Sequence, residues 1–102
     1  MAVDLTEYRV TVTDAKSWLI SKPGTGKQSY RIVWSPGALL IYGEAESLVL
    51  LNSEFDKPQN VMDWLKNCSY EQFKSISQHI ELDLIELFFD ICKFWIAQKH
   101  YR

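Results

Sequence analysis

The stretch from Gln28 to Leu51 constrains the fold more than any other part of the chain. Its first part, Tyr30–Trp34, alternates bulky with smaller or polar residues, which is the period of a strand that is buried on one face. Ser35–Gly37 suits a tight turn, because its proline fixes φ and its glycine can adopt φ > 0. Two apolar runs follow, Ala38–Tyr42 and Ser47–Leu51. The stretch therefore predicts three consecutive strands.

Two further strands are predicted upstream. Glu7–Thr13 alternates apolar and polar residues and predicts a half-buried strand. Asp14–Lys16 is interpreted as a turn, and Ser17–Ser21 as the second strand. Every connection in this half of the chain is too short for a helical crossover, which favours an antiparallel meander. We expect a five-stranded antiparallel sheet over about residues 7–51.

The second half of the chain has the pattern of helices. Pro58–Asn67 begins with a proline, which the first turn of a helix tolerates, and continues with apolar residues at helical spacing. Tyr70–Ser77 follows Ser69, and Ser69 with Gln72 forms the pattern of a capping box. The final segment, about Gln78–Lys99, predicts a long helix. The fold class predicted is α+β: one domain, residues 1–102, with a β-meander over 1–51, a helical part over 58–102, and the long helix packed on the sheet.

The predicted last helix is apolar over more of its circumference than a surface helix requires. Either it is buried between layers, or it also contacts a second chain. One side carries Leu84, Leu87, Phe88, Ile91 and Trp95, and the other carries Ile85, Phe89, Cys92 and Ile96. Because two short helices are too small to cover both sides, we predict a homodimer through the second set.

Composition narrows the classes of function. The formal net charge is −2, so a nucleic-acid backbone is not the expected partner. The chain starts without the pattern of an export signal, and no apolar run reaches the roughly 18 residues of a membrane span. We therefore expect a cytoplasmic protein with reduced cysteines and no membrane contact. The four tryptophans lie in apolar periodic patterns and are interpreted as core residues.

Pro23–Lys27 (PGTGK) is similar to part of a nucleotide-binding phosphate loop. A functional loop also needs an earlier glycine, a hydroxyl residue after its lysine and a helix after that residue. Ser21 stands at the glycine position, Gln28 replaces the hydroxyl residue, and a strand follows. We expect no nucleotide binding.

Two cysteines and two histidines are the possible ligands for a transition metal: Cys68, Cys92, His79 and His100. Their spacing shows no pairing of ligands, and Cys92 falls among the apolar positions of the last helix. So few histidines also leave little scope for a base beside a nucleophile. We expect no metal, no cofactor and no enzymatic activity.

Acidic residues are concentrated after the central strands: Glu44, Glu46, Glu54, Asp56 and Asp63. They are interpreted either as a solvated rim or as a surface that binds a basic partner, imitating a nucleic-acid backbone. Lys16, Lys22, Lys27 and Arg31 are a possible opposing basic edge.

Several segments together carry a family resemblance. They are the loop Lys22–Thr25, the strand Tyr30–Trp34, the strand–turn–strand Trp34–Glu44, the helix Val61–Leu65 and the segment Tyr70–Lys74. In this order they resemble small, uncharacterised proteins of tailed phages and prophages, which share a W-P-G-x-L-x-x-x-G-[DE] motif. The chain departs from that motif by one extra residue between Trp34 and Pro36, and by the absence of a second glycine after Glu44.

The resemblance covers Trp18 to Ser77 and implies an origin rather than a site. It predicts a non-enzymatic phage accessory protein that binds and inhibits a host protein or protein–nucleic-acid complex, such as a CRISPR defence complex. The alternative is a structural or housekeeping phage protein that assembles through its C-terminal helix.

Overall fold

The computed structural model describes residues 8–21, 29–78 and 82–98, and of residues 82 and 83 the backbone alone. Its sheet has six strands: β1 Arg9–Asp14, β2 Ser17–Ser21, β3 Tyr30–Ser35, β4 Ala38–Tyr42, β5 Ser47–Leu51 and β6 Ser77–Gln78. The strands follow one another in chain order, each antiparallel to the next. This confirms the predicted antiparallel meander.

The strand β6 is absent from the sequence prediction, which assigns these two residues to helices. Gln78 pairs with Val49, and Ser77 pairs with Leu50. A two-residue strand is too short to show a periodicity, so only its pairing with the neighbouring strand β5 specifies it. The predicted beginning of the last helix at Gln78 is therefore wrong.

Three helices complete the fold: α1 Pro58–Asn67, α2 Tyr70–Ile76 and α3 Leu82–Ala97. Proline lies in the first turn of α1, as predicted. The capping box of α2 is confirmed, because the Gln72 amide donates to Ser69 Oγ at 3.2 Å and the Ser69 amide donates to Gln72 Oε1 at 2.8 Å.

One face of the sheet, the covered face, carries the core. A row of paired residues crosses four strands on this face, and all of its members are buried: Trp18, Ile32, Ile41 and Leu48. The helix α3 packs on this face. Its Trp95 ring lies 4.8 Å from the Trp18 ring, and its Phe88 meets Tyr30 edge-on at 6.5 Å.

The helices α1 and α2 enclose α3 from the other side. Phe89 packs edge-on against Tyr70 and Phe73, with ring centroids 5.4 and 5.2 Å apart. Cys92 is fully buried and Ile85 is 4% exposed. Burial between two layers thus accounts for the wide apolar arc of α3.

This enclosure corrects the residues predicted for a dimer interface. Ile85 and Cys92 lie inside the chain, so they cannot contact a second copy. Phe89 and Ile96 are partly buried against the same core. The dimer itself stays a prediction.

The opposite face of the sheet, the open face, carries the alternate residues of the strands. Leu19, Val33, Leu40 and Val49 are half-buried there, and none of them belongs to the core or packs against it. Within the described residues, all three helices contribute to the core on the covered face. The open face therefore has no covering layer in this part of the chain.

Candidate functional site

A groove runs along the exposed side of α1. Its residues Asn60, Asp63, Trp64 and Asn67 are spaced i, i+3, i+4 and i+7, which places them on one side of a helix. The opposite side of α1 carries the fully buried Val61 and Leu65. Core packing thus orients the helix so that its polar residues form the wall of the groove.

Three of the five predicted acidic residues meet in this groove. Glu54 and Asp56 enter it from the segment before α1, and Asp63 from the helix itself. The groove is open to solvent and has a volume of about 640 Å³; Cys68 and Gln72 close its far end. This volume lies within the usual range for ligand sites.

Neutral groups hold the groove carboxylates in place. Asn60 Nδ2 donates to Asp56 Oδ1, and Gln59 Nε2 donates to Asp63 Oδ1 at 3.0 Å. The Glu54 amide donates to Asn52 Oδ1 at 2.9 Å, which fixes the turn that carries Glu54. No ion pair joins these carboxylates to a basic side chain within the described residues. The groove therefore retains its negative charge.

Trp64 gives the groove an aromatic wall. Its ring meets the buried Phe55 ring edge-on, at 5.8 Å. The Phe55 carbonyl accepts hydrogen bonds from the Gly37 amide at 2.8 Å and from Trp34 Nε1 at 3.0 Å. Gly37 has φ +81°, as the predicted turn requires. The β3–β4 turn thus supports Trp64 through Phe55.

The far end of the groove is stabilised from beneath by Lys93 of α3. Its ammonium group donates to the Leu65 carbonyl at 2.5 Å and to the Cys68 carbonyl at 2.9 Å. A cation at the C-terminus of a helix also opposes the helix dipole. Burial raises the pKa of the Cys68 thiol, and the positive charge of Lys93 partly offsets this rise. Cys68 is therefore a protonated thiol at neutral pH.

The other two predicted acidic residues lie elsewhere. Glu44 and Glu46 belong to the turn between β4 and β5, whereas Glu54 and Asp56 follow the opposite end of that hairpin. A five-residue strand separates the two ends by about 17 Å. Glu46 Oε1 accepts from the Ala45 amide at 2.9 Å. The acidic set is thus two separate sites, and the groove contains three of its five members.

The predicted basic edge is not assembled by the described residues. Lys16 lies in the β1–β2 turn, with its ammonium group 5.9 Å from the centre of the Trp34 ring. Arg31 is exposed towards the other end of β3. Lys22, Lys27 and the loop of residues 23–27 lie outside the described residues.

Sequence reasoning assigns Trp64 to the core and Gln72 only to the capping box of α2, and it leaves Asn60 and Asn67 unassigned. Trp18 and Trp95 are indeed buried, but Trp64 is only half-buried and lines the groove. The i, i+3, i+4, i+7 spacing of polar residues around a tryptophan is the signal that could have located this site.

The predicted metal ligands divide between buried and undescribed positions. Cys68 and Cys92 are both buried free thiols, and His79 and His100 lie outside the described residues. Where the structure describes the chain, no three His, Cys, Asp or Glu residues are grouped to hold a metal ion. In the same part of the chain, no helix has the length and apolar character needed to cross a membrane.

The chain matches no protein-family model, no curated protein and no solved structure. The resemblance to small phage proteins therefore stays a prediction.

Proposed function

We propose that this protein is a non-enzymatic phage or prophage accessory protein that inhibits a host factor in the cytoplasm by occupying a basic surface of that factor. The observation that carries the proposal is the groove, in which Glu54, Asp56 and Asp63 lie together beside Trp64. The host factor is a protein or protein–nucleic-acid complex, most concretely a defence complex of the CRISPR type.

The chemistry of the groove fits lysine and arginine side chains. Its carboxylates attract a cation, and the face of a tryptophan adds cation–π attraction. Proteins that bind nucleic acids present such cations to phosphates. An acidic groove that occupies these cations competes with the nucleic acid, and no catalytic group is required.

The proposal is tested by phage plating on a bacterium with an active CRISPR system. Expression of the chain should restore plating of a targeted phage. Reversing the groove charges by Glu54→Lys, Asp56→Lys and Asp63→Lys should abolish this protection. Glu71→Lys is the matched control, because Glu71 is an exposed acid on α2 that pairs with Lys74 at 3.6 Å outside the groove.

With the purified target complex, the same variants separate charge from folding. The groove variant should associate more slowly and with a weaker dependence on salt, because steering by opposite charge is lost. Circular dichroism checks that the variant is folded. Unchanged inhibition and an unchanged salt dependence would instead assign the groove carboxylates to a solvated rim.

The second candidate is a structural or housekeeping phage protein that self-assembles. A different observation favours it, namely the uncovered aliphatic residues of the open face. Self-association without inhibition of any host process would favour this candidate.

A further inference from the structure

The open face carries an apolar patch that sequence reasoning does not identify. Val33 pairs with Leu40, and Leu40 pairs with Val49, so these three side chains form a row across β3, β4 and β5. Tyr42 and Leu51 lie at opposite ends of the β4–β5 hairpin, and they are 41% and 48% exposed. They extend the apolar patch along the strands, one on either side of the row. They are two of the three exposed large hydrophobic residues in the described part of the chain.

The patch is continuous across three strands of the sheet. It crosses three strands, about 14 Å at about 4.8 Å a strand, and runs about 13 Å along them. In β2 the residue opposite Val33 is the polar Ser17, and Leu19 lies opposite Arg31. Apolar side chains that stay accessible beside one another on a sheet face are candidates for an interaction surface. The sheet backbone holds these side chains on one twisted surface, which suits the face of a second sheet with the same twist.

We propose that the open face is the interface of a symmetric homodimer, in which two sheets pack face to face about a two-fold axis parallel to β4. The row of Val33, Leu40 and Val49 supports this axis, because the order valine–leucine–valine is the same from either side of β4. The rotation places Leu40 on Leu40 of the second copy, and Val33 on Val49 of the second copy. Two aligned sheets that share an apolar layer are an established packing mode, and a two-fold interface requires only a self-complementary patch.

Charge at the edge of the patch agrees with this axis. Arg31 pairs with Tyr42 across β3 and β4, and Glu44 lies in the turn directly beyond Tyr42. Both are exposed, and neither forms an ion pair within the described residues. The two-fold rotation places β3 of one copy over β5 of the other, and it keeps the same ends of the strands together. It therefore brings Arg31 of each copy towards Glu44 of the other, so that two opposite charges meet twice.

This interface differs from the α3 interface predicted from sequence, and it goes beyond the proposed function. The groove belongs to the helical layer on the covered face, so a dimer through the open face leaves both grooves accessible. Dimerisation and groove binding can therefore succeed or fail separately.

The first test is the mass of the full chain by light scattering at micromolar concentration. The wild type should have twice the chain mass of 11.9 kDa. Leu40→Lys should reduce this mass to that of one chain, because it buries two unpaired cations on the axis. The matched control is Val12→Lys, which makes a similar change at a valine that is 60% exposed on the edge strand β1 and should leave the dimer intact.

A charge exchange tests the orientation. Arg31→Glu alone and Glu44→Arg alone should each weaken association, and the double variant should restore it. Leu40→Cys should also give a covalent dimer with a short bis-maleimide, whereas Val12→Cys should not. Both native cysteines are buried, and the Val12→Cys variant, which carries them as well, controls for any reaction at them.

A wild-type chain of single mass would overturn the proposal. A dimer that Leu40→Lys leaves intact would overturn it as well. If Leu40→Lys does not fold, the cross-linking experiment is the test: a covalent dimer of Leu40→Cys supports the proposal, and its absence overturns it.

Discussion

The two faces of the sheet are built from adjacent residues of the same strands, yet they have opposite surroundings. In β4, Leu39 and Ile41 are fully buried under the helices, whereas Leu40 between them is half-buried on the open face. All three are large aliphatic residues. The comparison teaches that hydrophobic residues of one strand can have two different surroundings: on one face they form the core of the monomer, and on the other we propose that they contact a second copy.

The two faces also differ in what lies over them. Sixteen residues of α3 lie over the covered face, and α1 and α2 hold that helix in place through aromatic contacts and the Lys93 hydrogen bonds. The open face has no such layer among the described residues. The pleat of a single sheet therefore separates the core face from the face that we propose as an interface.

The largest expected effect compares the faces directly within β4. Ile41→Ala should lower the free energy of unfolding by about 2–5 kcal/mol, because it leaves a cavity in a fully packed core. Leu40→Ala should lower it by less than about 1 kcal/mol at a protein concentration too low for association. Urea unfolding followed by tryptophan fluorescence measures both. Equal losses would show that the open face is also covered within the monomer.

The next effect concerns the layer that closes the covered face. Lys93→Met keeps the aliphatic stem but removes two hydrogen bonds from a charged donor, and should cost about 1.5–3 kcal/mol in urea unfolding. Lys66→Met is the control, because Lys66 is exposed in the last turn of α1 and should change stability by less than about 0.5 kcal/mol. A loss no greater than that of the control would mean that Lys93 does not bridge the helices.

A smaller effect is expected at the beginning of α2. Ser69→Ala removes the side-chain cap of this helix and should cost about 1 kcal/mol. Faster hydrogen exchange at the Gln72 amide would localise the loss to the first turn. Ser53→Ala, in an exposed turn, serves as the control and should leave that exchange unchanged.

The smallest effect is a dependence on pH at α3. Burial, and then the nearby charge of Glu86, raise the pKa of Asp90 above its usual value of 3.8. The folded state therefore binds this proton more tightly than the unfolded chain, so the resulting stability is present in acid and is lost as pH rises through the folded pKa. Asp90→Asn should then stabilise the protein at neutral pH, by less than about 1 kcal/mol because the group is partly exposed. Thermal unfolding over an acid-to-neutral series measures this, and a variant less stable at neutral pH would contradict it.

Much of the fold can be predicted from local sequence. Short apolar runs between turn residues predict β4 and β5 with the bounds that the structure gives, and β2 also has its predicted bounds. Proline in the first turn of α1 and the capping box of α2 likewise act within a few residues. The turn at Gly37 is also local, since a positive φ favours glycine whatever the surroundings.

The features that the sequence did not determine depend on contacts between distant segments. β6 exists only because β5 lies beside it, and the apolar arc of α3 is enclosed because Tyr70 and Phe73 reach Phe89. Five acidic residues that look like one set divide between the two ends of a hairpin. Trp64 has an apolar pattern, and only the packing of α1 on the core leaves it at a groove. Periodicity states which residues share a side of one element, whereas tertiary packing alone decides which sides become covered.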